Sequence, residues 1–279
     1  MPDAVDIVRR VVENSTVIHS QQNQGPGPPA QYRRSVRQLL PIVIDPVEPS
    51  DIYAADERPR GPERPWLLLD MISSADGATH IDGTSGALGS EGDHVVFRAI
   101  RAVADVILVA AGTVRSENYR PVRATEDIRT ARIARGQTPV ARLAILSRHL
   151  DFDFDADLFT SDIPPLLLTT NAAPPSALRR AEAITEVVRF DGDRVDMAAA
   201  VRALGVRGAN IVLAEGGPTL NGQLHDAGLI DELCLTLSPM LVGTDAARVI
   251  DGAALNLQRL ALDRVLEEDG WLFLRYVRR

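Results

Sequence analysis

The segment Glu215-Gly216-Gly217-Pro218-Thr219-Leu220 follows an apolar run at 210–214 and opens a helical pattern. Two glycines let a backbone come close to a ligand, and Pro218 suits a first helical turn. The free N–H groups and dipole of such a helix favour an anion such as a phosphate. The same spacing also makes a tight strand-to-helix turn with no ligand. A Gly-x-Gly-x-x-Gly dinucleotide fingerprint after a strand is absent. Three more strand candidates end on small or hydrogen-bonding residues: Gly112-Thr113, Ser147-Arg148 and Thr169-Thr170-Asn171. Each alone is an ordinary turn. Four such ends on one edge of a parallel sheet make a nucleotide site, because ligands of open α/β sheets bind outside the carboxyl ends of the strands. The stretch from Ser73 to Gly77, continued by Ile81 to Gly86, is rich in glycine and hydroxyls. By composition alone it is a surface loop with Asp-Gly turns.

The elements that must position these residues start at Trp66. Strand candidates are 66–72, 105–111, 142–147, 165–170, 186–189, 210–214, 232–237 and 271–275. Helical stretches occupy 92–102, 174–183, 196–204 and 219–227. Near-continuous apolar strands separated by helices predict an α/β fold with a mostly parallel central sheet and helices on both faces. The last strands lack comparable helices between them, which suits antiparallel pairing. Residues 1–63 have a different texture. Residues 21–30 are a Gln/Gly/Pro run that reads as a linker or a disordered segment. Residues 1–19 suit a short amphipathic helix or a tail, 41–47 an edge strand or extended arm, and 52–55 a helical turn. The boundary expected is an N-terminal extension over 1–63, partly disordered or lid-like, and a folded domain over 64–279.

Composition narrows the chemistry. The 279 residues carry 30 basic against 38 acidic side chains, and every basic one is arginine. Without lysine there is no lysine Schiff base, lysine general base or lysine-dependent phosphate loop. The net charge of −8 argues against a nucleic-acid partner. Lone Cys234 excludes a cysteine-built zinc cluster and an internal disulfide, so no metal is expected. No apolar run approaches the roughly 20 residues of a membrane span, and the N-terminus lacks a signal-peptide core. The expectation is a cytoplasmic protein with no membrane partner.

Together the blocks resemble the pyrimidine reductase domain of riboflavin biosynthesis, a dihydrofolate-reductase-like family. The Ser-x-Asp-Gly loop is Ser74-Ala75-Asp76-Gly77, and the buried strand ending in Gly-x-x-Thr-Val is similar to 106–114. The Glu-Gly-Gly-Pro-Thr-Leu block is 215–220, followed by 227–233, Ser238-Pro239 and Val242-Gly243. The resemblance covers roughly 64–277. It implies NADPH as cofactor, bordered by Ser74, Ala111, Gly112, Thr113 and Glu117. Ser147 and Arg148 would face its 2′-phosphate end. Gly216, Gly217, Pro218, Thr219 and Leu220 would hold its pyrophosphate. Glu215 would lie between cofactor and substrate, with Ser85, Arg101 and Arg123 on the substrate and the two arginines on its phosphate. The resemblance further implies a homodimer paired through the last strands. The deaminase that often precedes this domain needs a Pro-Cys-x-x-Cys motif, which one cysteine cannot supply.

The sequence departs from that family on the substrate side. Asp70 stands where a lysine is common, Ala87 where a tryptophan is common, and His94, preceded by Asp93, where an arginine is common. A carboxylate is the natural partner for the amidine-like face of a pterin or 2-aminopyrimidine. Asp93 equally suits the first turn of a helix by its charge alone. Hydride transfer needs no protein nucleophile. Asp70, Asp93 and Glu215 are candidates for the catalytic proton, and the sequence does not choose among them. Three functions remain open at this point. The first is reduction of a 5-amino-6-(5-phosphoribosylamino)uracil-like substrate. The second is reduction of a dihydrofolate or dihydropterin on the same fold, and the third is NADPH binding without turnover.

Overall fold

The computed structural model describes residues 35–278 apart from 60, 62 and 244. Residues 1–34, with the expected linker at 21–30 and helix at 1–19, lie outside the described residues. The described strands form one sheet. They are β1 (Arg37–Leu40), β2 (Trp66–Ser74), β3 (Val106–Ala110), β4 (Arg142–Leu146), β5 (Leu166–Thr170), β6 (Val187–Phe190), β7 (Ile211–Ala214), β8 (Glu232–Ser238), β9 (Ala261–Glu268) and β10 (Trp271–Val277). Their order is β1-β9-β10-β8-β2-β7-β3-β4-β5-β6. The ladders from β8 to β6 are parallel. Those joining β8, β10, β9 and β1 are antiparallel, as the missing crossover helices suggest.

Side-chain alternation along the strands builds two cores. Leu68, Ile107, Ile145 and Leu167 face one side, against α2 (Glu91–Val103) and α6 (Pro175–Glu182). Leu67, Leu69, Leu108 and Val212 face the other, against α7 (Met197–Val206) and α8 (Pro218–Asp226). Both faces are therefore covered, as parallel strands require. Between β4 and β5 the short α5 (Asp157–Thr160) adds Leu158 and Phe159 to the first core. α2 shows how local sequence sets an element. Ser90 caps it by accepting from the Asp93 N–H at 3.0 Å, and Glu91 and Asp93 favour its positive end. Val96, Ala99, Ile100 and Val103 then recur on its buried face. Among the described residues no helix is long and apolar enough to cross a membrane.

The structure differs from the sequence expectation in four places. Residues 35–59, expected in the extension, join the sheet domain. β1 pairs with β9, at 37–40 rather than 41–47, and α1 (Pro49–Ala55) packs on α2 with Tyr53 buried. β9 has no expected counterpart, because Arg264 and Glu268, two of its inward residues, are charged. α4 (Glu126–Ala134) also escapes an apolar-period reading. Its buried residue is Arg132, whose guanidinium donates to the carbonyls of Ala102 and Ala104 at the end of α2. Finally, β3 stops at Ala110, and Ala111, Gly112 and Thr113 begin the short helix α3 (Ala111–Ser116).

A buried ionic cluster fastens residues 35–59. The Glu232 carboxylate, fully enclosed, accepts from Arg58 Nε at 2.8 Å, Arg275 Nε at 2.7 Å and Trp66 Nε1 at 3.0 Å. Asp56 pairs with Arg58, Arg264 and Arg275. Burial pushes the Glu232 carboxyl up, but the two guanidiniums outweigh it and hold the group below the usual range.

Candidate active site

The sheet order places β7, β3, β4 and β5 side by side. The four strand ends singled out in the sequence thus share one edge, spanning roughly 14 Å at the normal strand spacing. Beside them, a cavity of about 300 Å³ opens between this edge, the loop at 79–89 and α2. Asp70, Asp93 and Glu215 all line it, as do Ser85, Thr113, Glu117, Gly217 and Pro218.

Glu215 follows β7 directly and is the most constrained of the three acids. Arg101 grips it with a two-pronged contact, Nε to Oε1 and Nη2 to Oε2, each 2.6 Å. The Tyr119 hydroxyl donates to Oε2 at 2.7 Å. Arg101 also stacks over the Phe97 ring at 4.3 Å. Burial works against the Arg101 charge, but Glu215 outweighs it and keeps the guanidinium protonated. Burial, then the Glu215 charge, raises Tyr119 well above its ordinary value, so it stays a neutral donor. The Arg101 fork, expected on the substrate phosphate, is therefore closed on Glu215. Arg123 is exposed and lines a neighbouring cavity of about 360 Å³ together with Arg98, Arg101 and Arg132.

Asp93 sits in the first turn of α2. Its Oδ1 accepts from the Thr236 hydroxyl at 2.8 Å across the cavity. Burial raises its carboxyl, opposed by that hydrogen bond and by His94. Asp70 lies on β2 opposite Cys234 of β8. Among the described residues its carboxyl makes no hydrogen bond. Burial, then the negative charges of Asp93 and Glu215, raises it well above the ordinary range.

The glycine turn has the shape a ligand backbone needs. Gly216 has φ +81°, and its nearest neighbour would meet a Cβ at 3.3 Å. A Cβ on Gly217 would stand 2.8 Å from Thr113 Oγ1. Gly217 caps α8, Thr219 is exposed in its first turn, and Gly112 has open space beside it. At the neighbouring end of β5 the buried hydroxyls of Thr169 and Thr170, which point to opposite faces of the sheet, have no hydrogen-bond partner among the described residues. Donors beside a glycine turn and a helix N-terminus fit a long anionic ligand such as a dinucleotide.

Other expected contacts are arranged differently. Ser74 is buried, and its hydroxyl donates to Asp76 and accepts from Ala78 N–H at 2.9 Å. Asp76 in turn accepts from Gly243 N–H at 2.7 Å, and Thr79 donates to the Ala247 carbonyl at 2.8 Å. The Ser74 hydroxyl, with the N–H groups of Gly243 and Val242, holds the Asp76 carboxyl at about 2. This loop therefore anchors the segment after β8, which also lies against α8 at Gly222. Leu220 and Ala111 are buried in the two cores. The Ser147 hydroxyl accepts from Leu150 N–H at 3.0 Å, and Arg148 beside it is exposed. Ser85 reaches the site through its backbone, donating to Glu117 Oε1 at 2.9 Å.

Sequence reasoning missed Tyr119, Thr236, Phe97 and His80, all on the cavity wall. Thr236 carried one signal: a hydroxyl two positions after Cys234 in an apolar strand faces the same side. Tyr119 carried none, since only folding brings it to Glu215.

A sheet whose parallel half carries a site at the strands' carboxyl ends, with a glycine turn and an acid-lined cavity, makes this an α/β protein of the open-sheet, ligand-binding class. The sequence matches the family described as RibD C-terminal domain over residues 65–269, and the chain belongs to that family. It is 24% identical over 204 residues to the 2,5-diamino-6-ribosylamino-4(3H)-pyrimidinone 5′-phosphate reductase of Archaeoglobus fulgidus, covering 72% of this chain and 93% of that protein. It is 29% identical over 218 residues to the riboflavin biosynthesis protein RibD of Mycobacterium tuberculosis, covering 73% of this chain and 53% of that one. A crystal structure of a pyrimidine reductase-like protein from Corynebacterium diphtheriae superposes with a TM-score of 0.75 at 27% identity, covering 83% of this chain and 98% of that one. The family is one of oxidoreductases.

Proposed function

We propose that the protein reduces a phosphorylated ribosylaminopyrimidine with NADPH. The observation that carries this reading is the row of four adjacent strand ends running into the cavity of Asp70, Asp93 and Glu215. The cofactor would lie along the row, held by Thr113, Gly216, Gly217 and the first turn of α8, with its far end toward Ser147, Arg148 and Thr169. When bound, its nicotinamide supplies a hydride. Asp93, fixed by Thr236, offers a carboxylate to the amidine-like edge of a pyrimidine. That edge favours a 2-amino-pyrimidinone over the uracil. Arg98 and Arg123 stand where a phosphate can be met beyond the Arg101–Glu215 pair.

Purified protein should oxidise NADPH with the phosphorylated 2,5-diamino compound as acceptor. It should act more slowly on the uracil, and more slowly still on dihydrofolate, which lacks the phosphate. Turnover of dihydrofolate alone would overturn the substrate, and cofactor binding without turnover on any of the three would overturn the activity.

The same reading includes a homodimer. Leu233, Leu235 and Leu237 of β8 stand opposite Tyr276, Leu274 and Leu272 of β10, all half-buried on one sheet face. A contiguous apolar face of this kind marks an association surface. Sedimentation should give a dimer at micromolar protein, and Leu274→Glu should give a folded monomer. A monomeric wild type would refute the pairing.

A further inference from the structure

We infer that Asp70 holds, in the cavity, the proton that reduction of the substrate consumes. The inference rests on the reductase reading above. Reducing the C=N bond of a ring-opened ribosylamine adds a hydride and its two electrons to carbon and one proton to nitrogen. The reduced nicotinamide becomes oxidised, and the proton must come from an acid at the site. Three acids line the cavity, and their partners separate them.

Glu215 is tied to a guanidinium through both oxygens and accepts a phenol hydrogen bond as well. Such a group is held as an acceptor, and giving it a proton would break a charge-assisted pair. Asp93 accepts from the Thr236 hydroxyl and sits in the first turn of α2, where the helix dipole favours negative charge. Asp70 has neither kind of support. It projects from β2, the central strand beneath the cavity, and its carboxyl makes no hydrogen bond among the described residues.

Most of the charges around Asp70 act in one direction. Asp93 on α2, Glu215 after β7 and Glu232 on β8 are negative. Arg101 on α2 opposes them, but its charge is already matched by Glu215. Tyr53 on α1 and Cys234 on β8 are buried neighbours held neutral by desolvation. His80 and His94 line the same cavity. Asp93 and Glu215 face Asp70 across this small space, and the like charge of either disfavours a charged Asp70. After transfer, Asp70 regains its proton from solvent through the cavity mouth.

The test uses Asp70→Asn, which keeps the size and neutrality of the protonated acid but has no proton to give. Difference infrared spectra of the ligand-free protein at neutral pH should show the carbonyl stretch of a protonated carboxyl, absent from Asp70→Asn. Single-turnover rates with the phosphorylated diaminopyrimidine should fall about 10²–10⁴-fold in the variant, with substrate and cofactor affinities nearly unchanged. The wild-type rate should drop about tenfold per pH unit once pH exceeds the raised Asp70 value, and the variant rate should not. An Asp70 carboxylate ionised at neutral pH overturns the inference. So does a variant that keeps its rate and loses only affinity, since Asp70 would then be a binding group. A wild type that shows the protonated band but no turnover on any pyrimidine overturns the reductase reading and the transfer step, while leaving the proton's location established.

Discussion

Replacing Glu232 by Gln is expected to lower stability by about 3–5 kcal/mol, because it strips one charge from a buried cluster and leaves Arg58, Arg264 and Arg275 sharing Asp56 in the core. For a domain of this size that is a melting temperature roughly 10 °C lower. Thermal unfolding followed by circular dichroism checks it. A triple variant, Arg58→Met with Glu232→Leu and Arg275→Met, should recover much of the loss, because buried ion pairs exchanged whole for apolar groups are often neutral. The pH dependence has a definite sign. Glu232 is held below its ordinary value, so its contribution is complete above the unfolded value of about 4.3 and is lost as pH falls through the lower folded value. Acid should therefore release residues 35–59 from the sheet, and the variant should lack that part of the acid transition. A variant as stable as the wild type would mean that the cluster contributes register and no net energy.

Glu215→Gln should cut kcat/KM by about 10²–10³-fold, the scale on which removing one preorganised polar group acts. The carboxylate holds Arg101 with both oxygens and Tyr119 with one; Glu215 and Tyr119 line the cavity beside the glycine turn, and Arg101 lines the neighbouring one. A glutamine can accept with only one oxygen and must place an NH2 group against a guanidinium. The Arg101 fork then loses its seat, and the wall between the cavity and the arginine-lined cavity moves with it. Tyr119→Phe, which removes one hydrogen bond worth about 0.5–1.5 kcal/mol, should cost about tenfold or less. Measured separately, kcat and KM tell positioning from binding. A Glu215→Gln enzyme within threefold of the wild type would make the triad a structural brace.

Much of this site was legible in the sequence. The apolar runs from Trp66 on, divided by helical stretches, specify a covered parallel sheet, because continuous burial of a strand needs helices on both faces. Glu215 to Pro218 announces a close backbone approach, since two adjacent glycines before a proline serve a turn into a helix. The arginine-only composition and single cysteine remove whole classes of chemistry before any fold is known. Asp70, Asp93 and His94, singled out in the sequence, do line the cavity, whereas Ala87 is exposed outside it.

The tertiary structure decided what depends on residues far apart in sequence. Arg101 meets Glu215 across 114 residues, and Arg58 meets Glu232 across 174. No local pattern encodes such pairs, because a charged residue in a sequence is equally a solvated surface group. For the same reason the charged strand β9 and the arginine-bearing helix α4 look exposed until their partners are brought to them. The sequence names three acids; only their neighbours separate the one braced by Arg101, the one held by Thr236 and the one left without a hydrogen bond. Protonation follows from environment, and environment is made by folding.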